Sequence, residues 1–424
     1  MSEKQSKPDR HDVDVLRRLA ERKAEIARDP VNLDRKAMWY ALDAGTGGRP
    51  MVLAELAGVV DNARPVPASD LQCRDEWARR LERALRVEIY QFDVLQDDHV
   101  VEPFVSTNWQ VQVSDYGVQA DVHYSDADVT LGARNWDAPI RDLERDFGKL
   151  HPRRASVDRE ATFAEKARLE EVFGGILPVR IRGSFWWSMG LTWPAIDLIG
   201  LENLMLFMYD DPDGLHRLMA FLRDDHLAFV RWCQSEGLLT LNNENDYIGS
   251  GSTGYTHDLP RPGRAGGEAV PLADLWVLAE SQETVGVGPE QFEEFVFPYQ
   301  LSLAEQFGKC YYGCCEPVHS RWHVLKRIGN LARVSVSPWA DEECLAGELG
   351  GDYVYSRKPI PTLVSTRTFD ESAIRADLRR TLDLTGRAGC RVEIVMKDVH
   401  TLNDEPDRLA RWVRMAREEI DRTK

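Results

Sequence analysis

The feature that most constrains this chain is an alternation: short β-rich apolar runs, each followed by a longer amphipathic stretch, recur along most of its 424 residues. Eight such runs are readable: VVEPFV (100–105), LPVRIR (177–182), LLTLNN (238–243), LWVLAE (275–280), KCYYGCC (309–315), RVSVSPW (333–339), YVYSRK (353–358) and VEIVMKD (392–398). Each is rich in Val, Ile, Leu or aromatic residues, as a strand covered on both faces must be. Segments 211–234, 289–308, 369–386 and 405–422 carry the helical pattern, the first opened by a capping Asp211 and Pro212. Strand–helix alternation implies a parallel sheet, and eight repeats imply closure into a (β/α)8, or TIM, barrel. Residues 1–95 read as a mainly helical extension packed on a barrel spanning 96–424. Two loops are long: 106–160 reads as a hairpin excursion, and 244–274 is rich in Gly and Pro.

Charge narrows the partners. With 53 basic against 70 acidic residues the formal net charge is −17, which repels phosphate backbones and anionic membranes. Nucleic acid and membrane are therefore not expected partners, and an anionic substrate needs a local basic pocket. The N-terminal stretch has no signal-peptide core, and no apolar run reaches the roughly 18 residues of a membrane span. Seven cysteines, an odd number without framework spacing, point to a reducing, cytoplasmic setting.

In a barrel the residues just past each strand converge on one mouth. Here they are Thr107, Asn108, Arg182, then Asn243, Glu244, Asp246 and Tyr247, then Ser281, Gln282 and Glu283. The second half adds Cys314, Cys315, Glu316, Ser337, Trp339, Ser356, Arg357, Lys358, Lys397, Asp398 and His400. Glu244, Glu283 and Asp398 are candidate general bases or metal ligands, with structural ion pairing as the plain alternative. Arg357, Lys358 and Lys397 could hold an anionic group or pair with those carboxylates. Asn243, Tyr247, Gln282 and Trp339 are expected to contact a small-molecule substrate.

CYYGCCEPVHSRWH collects thiols, a carboxylate and two imidazoles, donor types that zinc favours. His319 and His323 share one helical face, but a surface role is the simpler reading. Strand alternation turns Cys314 and Cys315 apart, so one of them is expected to face the mouth and Cys310 to lie in the core. YIGSGSTGY lacks the Lys-Ser/Thr ending of a P-loop and reads as a flexible active-site loop. FWWSMGLTW (185–193) is an aromatic cluster that packs a lid or walls a pocket.

The stretches SQETVGVGPEQFEEFVFPYQ, YYGCCEPVHSRW, VEIVMKDVHTLNDEPDRLARWV and GLENLMLFMYDDPDGLHRLM resemble the uroporphyrinogen decarboxylase superfamily. Within it, they are similar to the decarboxylase-like branch related to zinc-dependent methylcobamide:thiol methyltransferases. The resemblance covers roughly 175–420 and implies a (β/α)8 barrel. The methyltransferase relatives carry a His-x-Cys zinc motif after strand five and a second Cys after strand eight. Here Tyr312 stands at the His position, Cys314 (or Cys315, one residue on) at the Cys position, and Asp398 at the second Cys, with His400 two further on. The resemblance thus implies a divalent metal, zinc, on Cys314 or Cys315 with Asp398 or His400. The Arg-Gln-Ala-Gly-Arg segment of true uroporphyrinogen decarboxylases is absent; RKAMWYALDAGTGGRP (35–50) occupies that region. The expected function is metal-assisted transfer of a methyl or other one-carbon group on a small polar substrate, with a corrinoid protein as partner. The alternatives are a metal-free decarboxylase or lyase, and a non-catalytic ligand-binding barrel. A monomer and a homodimer are equally compatible with the sequence.

Overall fold

The computed structural model describes residues 9–60, 63–124, 134–183, 185–263 and 269–423. Eight strands run parallel: β1 (Met51–Ala54), β2 (Val105–Asn108), β3 (Val179–Arg182), β4 (Trp276–Ala279), β5 (Lys309–Tyr312), β6 (Leu331–Val336), β7 (Val354–Arg357) and β8 (Arg391–Met396). Six form one sheet in the order β1-β8-β7-β6-β5-β4, and β2 pairs with β3. The protein is thus an α/β fold around a parallel sheet.

Among the described residues the two ladders are joined by side-chain and loop hydrogen bonds rather than by further strand pairing. On one side Asp98 N donates to Val52 O at 2.8 Å, and Ala54 N donates to Asp97 Oδ2 at 2.9 Å. On the other, Gly183 N donates to Thr240 Oγ1 at 3.0 Å, and the Asn242 amide bonds both Trp276 N (2.8 Å) and Trp276 O (3.0 Å).

Two expectations need correction here. LLTLNN carries no strand ladder; the Asn242 side chain stands in for one. MVLA (51–54), read as part of a helical extension, is a fully buried strand pairing with β8. The run sits between the helical patterns of 30–44 and 76–90, which hide it.

Most helices fall where the pattern puts them. The N-terminal region supplies α1 (Arg10–Ala27), α2 (Pro30–Ala44, with Asp29 as cap and Pro30 in its first turn) and α3 (Glu76–Tyr90). α1 and α3 pack with α4 (Arg159–Phe173) around Leu16, Trp77, Leu85, Leu169 and Phe173. The outer layer includes α5 (Pro212–Ser235), α6 (Glu342–Leu349), α7 (Glu371–Ala388) and α8 (Arg408–Asp421). The helix expected over 289–308 is split into Pro289–Phe295 and Phe297–Ala304. Pro298, which lacks an N–H and cannot continue a helix, sits at the restart. The excursion after β2 forms two antiparallel ladders, Gln110–Val113 with Ala155–Asp158 and Asp121–Tyr124 with Arg134–Asp137. Among the described residues no helix is long and apolar enough to cross a membrane.

The Gly-rich segment is the second surprise. Tyr247–Gly249 and Ser252–Thr253 form a tight hairpin whose turn, Ser250, is fully buried. A Cβ on Gly249 would lie 2.5 Å from the Tyr311 ring, and one on Gly251 2.6 Å from Glu55 Oε1, with φ at +152° and +84°. Glycine is needed because the hairpin presses against strand side chains inside the sheet. It is a packed element, not an open loop.

Candidate active site

Lys358, Lys397, Cys314, Cys315, Ser250 and Glu55 gather where the C-terminal ends of β1, β5, β7 and β8 meet the hairpin. Alternation sets the orientation. On β7, Ser356 and Lys358 face inward, while Arg357 between them faces the helices. There Arg357 Nε meets Glu342 Oε2 at 2.8 Å, and Nη2 meets Asp377 Oδ1 at 3.4 Å. Arg357 is therefore an outer structural ion pair and is corrected out of the site. On β8, Glu393 and Lys397 share the inward face.

Cys314 Sγ is the hub. It lies 3.6 Å from Cys315 Sγ, 3.6 Å from Lys397 Nζ and 4.0 Å from Ser250 Oγ; Lys397 Nζ also donates to Ser250 Oγ at 3.3 Å. Gly313, at φ +97°, breaks strand geometry just before the pair. The two thiols therefore touch instead of pointing to opposite faces. Cys314 is buried and Cys315 exposed. The hydrogen bond from Cys314 pulls the Cys315 thiol down; burial opposes this, and the Lys397 charge adds to it. Donating that bond, together with burial, pushes Cys314 up. Of the two thiols, the exposed Cys315 is thus the easier to ionise. Burial works against the Lys397 charge, but the sulfurs, Asp398 and Glu55 outweigh it and hold the ammonium above its ordinary value.

Lys358 is the opposite case. It is 2% exposed, its Nζ donates to Ser356, and burial pushes it down to about 7. The Glu393 carboxylate resists that shift, while the Lys397 charge reinforces it. Burial raises Glu55 against the pull of Lys397. The site thus holds a fixed cation, an amine near its titration point, a raised carboxyl and a thiol drawn down, the kind of divergence that marks acid–base sites.

A second acidic group lies behind the thiols. Glu316 accepts from Ser281 N at 2.8 Å and from Cys314 N at 2.9 Å, which fixes the cysteine backbone. Glu280, 1% exposed, accepts from Ser188 Oγ at 3.0 Å. Burial, with Glu283 and Glu316 nearby, holds Glu280 well above the usual carboxylate range. Glu283 accepts from Thr192 Oγ1 at 2.6 Å, while its Oε1 is buried without a hydrogen-bond partner.

The remaining sequence candidates separate. Glu244 pairs with Lys36 at 3.3 Å, in a partly buried network with the buried Glu102. Asn243 donates to Leu259 O at 2.7 Å and holds a loop. The Gln282 backbone N donates to Glu280 Oε2 at 3.1 Å. Trp339 is 66% exposed. Tyr247, by contrast, borders two cavities, one of about 250 Å³ against Arg182, Asp246 and Trp187, and one of about 540 Å³ against Glu55 and His99. Its hydroxyl accepts from Trp187 Nε1 at 3.1 Å. Sequence reasoning missed Glu55, Ser250 and Glu280 as site residues. Glu55 directly follows the unrecognised β1, and Glu280 closes a run read wholly as strand.

The proposed metal donors do not converge. Asp398 lies 3.5 Å from Lys397 Nζ, and His400 Nδ1 is 3.3 Å from Gly58 O. Among the described residues the one group of three or more donor side chains with ligand atoms within 4.8 Å is the exposed Asp121, His123 and Asp137. Cys314, Cys315, Asp398 and His400 therefore do not fit a zinc site as a set, and the Lys397 ammonium, 3.6 Å from Cys314 Sγ, sets a like charge where the metal would lie.

No family model matches this sequence, and no curated protein matches it. Among solved structures it is similar to a methyltransferase from Methanosarcina mazei, with 10% identity, a TM-score of 0.45, and coverage of 92% of this chain and 98% of that one.

Proposed function

We propose that the eight strands close into a (β/α)8 barrel, with β1 as its first strand, and that the protein is an enzyme whose Cys315 thiolate accepts a methyl or other one-carbon group. The observation that carries this reading is the contact chain Cys315–Cys314–Lys397, which links the exposed thiol, drawn below its ordinary titration point, to a cation through its neighbour. A thiolate is the nucleophilic form of cysteine, and a neighbouring ammonium is a standard means of stabilising it. In the step, the sulfur of Cys315 bonds to the one-carbon group as that carbon's bond to its carrier breaks. The carrier leaves with the electron pair and takes a proton from the raised Glu55 carboxyl. No step is routed through a metal.

The donor class is a small polar molecule or a corrinoid on a partner protein. Incubation with methylcobalamin followed by peptide mass spectrometry tests this reading. A methyl group on Cys315, absent from Cys315→Ser, supports it. An unmodified Cys315 that iodoacetamide still alkylates rejects it.

One observation favours a second reading, a metal-free decarboxylase or lyase. Lys358 and Lys397 could clasp a substrate carboxylate. Loss of carbon dioxide would leave the electron pair on carbon, and Glu55 would protonate it. The readings separate by variant. Decarboxylation survives Cys315→Ser and is lost in Lys358→Met, whereas thiol transfer is lost in Cys315→Ser.

A further inference from the structure

The cavity of about 540 Å³ beside Glu55 has a composition that points to its ligand. Leu56, Val59, Val66 and Val87 give it apolar walls. Arg83 of α3 also lines it, and among the described residues this guanidinium has no ion pair or hydrogen bond, although neighbouring Arg79 and Arg86 are both engaged. Glu55, His99 and Tyr247 form the end that borders the thiol–lysine cluster. An apolar pocket with a few convergent polar groups is the usual form of a small-molecule site. A guanidinium with unused donors is shaped for bidentate capture of a carboxylate.

We infer that this cavity binds a small amphipathic monocarboxylate, an aromatic or branched aliphatic acid, with its carboxylate on Arg83 and its apolar body along Leu56, Val66 and Val87. The far end of such a molecule is presented to Glu55 and Tyr247. Binding needs neither the thiolate nor turnover. The assignment rests on the transferase reading only in making that far end the one that carries the transferred group.

Three features argue against general anion capture. The molecule as a whole is strongly acidic, with a net charge of −17, so a free carboxylate finds no broad positive field. The paired basic groups are already matched: Arg182 bonds Asp246, and Lys36 bonds Glu102 and Glu244. Lys358 lies within the barrel at 2% exposure, away from the cavity lining.

Calorimetric titration of the full chain with benzoate, benzyl alcohol and acetate tests the assignment. Benzyl alcohol keeps the apolar body without the charge, and acetate keeps the charge without the body. Saturable benzoate binding is expected, with each of the other two at least about tenfold weaker, the scale of one charge-assisted hydrogen bond or one buried ring. Arg83→Met should weaken benzoate about tenfold and leave benzyl alcohol unchanged. Val87→Trp, which fills the cavity, should abolish both while the thermal midpoint reports a folded protein. Cys315→Ser should bind benzoate as the parent does, so failure of the thiol chemistry leaves this result standing. Three outcomes would overturn the inference: no benzoate binding, benzoate binding no better than acetate, or full affinity in Arg83→Met.

Discussion

At the scale of single residues, the chemistry of the site depends on groups whose charge states are set by their neighbours. Cys315 is the clearest case. The Cys314 hydrogen bond and the Lys397 ammonium both draw its titration point down, so Lys397→Met should raise it. Alkylation of Cys315 by iodoacetamide at pH 7 should slow about tenfold in that variant, because the thiolate is the reactive form. An unchanged rate would show that Lys397 does not stabilise the sulfur.

Lys358 makes the opposite prediction for stability. Burial pushes it down to about 7, whereas the unfolded chain holds a lysine near its ordinary 10.5. Between those two values the unfolded state binds more protons than the folded one, so stability rises with pH across this window. Below about 7 both states are protonated and the full penalty for burying the charge applies. Lys358→Met should therefore stabilise the protein at pH 7, by on the order of 2 kcal/mol after loss of the Ser356 bond. It should also flatten the rise between pH 7 and 10.5. Urea unfolding across that range reads both effects. A stabilised variant with impaired turnover would show that the amine is kept in a costly place for its chemistry.

At the scale of elements, the inward face of the sheet carries a buried ion pair below the site. Arg333 of β6 and Glu393 of β8 meet at 2.9 Å, both fully buried, and Glu393 also accepts from Ser252 Oγ of the hairpin at 2.9 Å. Removing Glu393 leaves the buried Arg333 with only the more distant Asp43 carboxylate, at 3.6 Å, so Glu393→Leu should cost about 3 kcal/mol by denaturant unfolding. Arg333→Met with Glu393→Leu should recover most of that loss, because an apolar pair of similar volume is often no worse. Failure of the double variant to recover would mean that the hairpin, through Ser252, needs the carboxylate itself. The same inward face shows what sequence could and could not reveal. Seven of the eight runs coincide with or adjoin observed strands, because doubly covered strands leave a dense apolar signature. MVLA is as short and as buried as WVLA, but it lies between the helical patterns of α2 and α3 and is submerged in them, and LLTLNN has the signature without the ladder. Lys358 and Arg357 are separable by strand alternation once the register of β7 is known, but not from an apolar run alone. The Cys314–Lys397 contact joins residues 83 apart; it depends on how β5 and β8 are placed, which no local pattern encodes. Gly249 and Gly251 were visible as a cluster, yet their reason, the close approach to Tyr311 and Glu55, is purely tertiary.

At the scale of the whole molecule, the N-terminal region cannot be detached from the central sheet. β1 pairs with β8 across all four of its residues, so the strand between α2 and α3 is part of the central sheet. Asp98, fully buried, fastens the same corner. It accepts from Val52 N at 2.7 Å, from Arg49 at 2.7 and 2.8 Å, and from Arg417 of α8 at 2.9 Å. The approach to β1, β1 itself and α8 therefore meet at one carboxylate. α1 contributes differently, since its apolar face packs on α3 and α4 in a core separate from the main one. Two truncations should then diverge. Removing residues 1–28 deletes α1 and exposes part of that smaller core; the main sheet should still fold, with a lower thermal midpoint. Removing residues 1–95 takes β1 and leaves the β8 edge unpaired at the centre of the fold, where an open edge invites association. That product should be aggregated or unfolded by circular dichroism and size-exclusion chromatography. A folded, monomeric 96–424 fragment would mean that the central sheet stands without β1, and Glu55 would then have no part in the site.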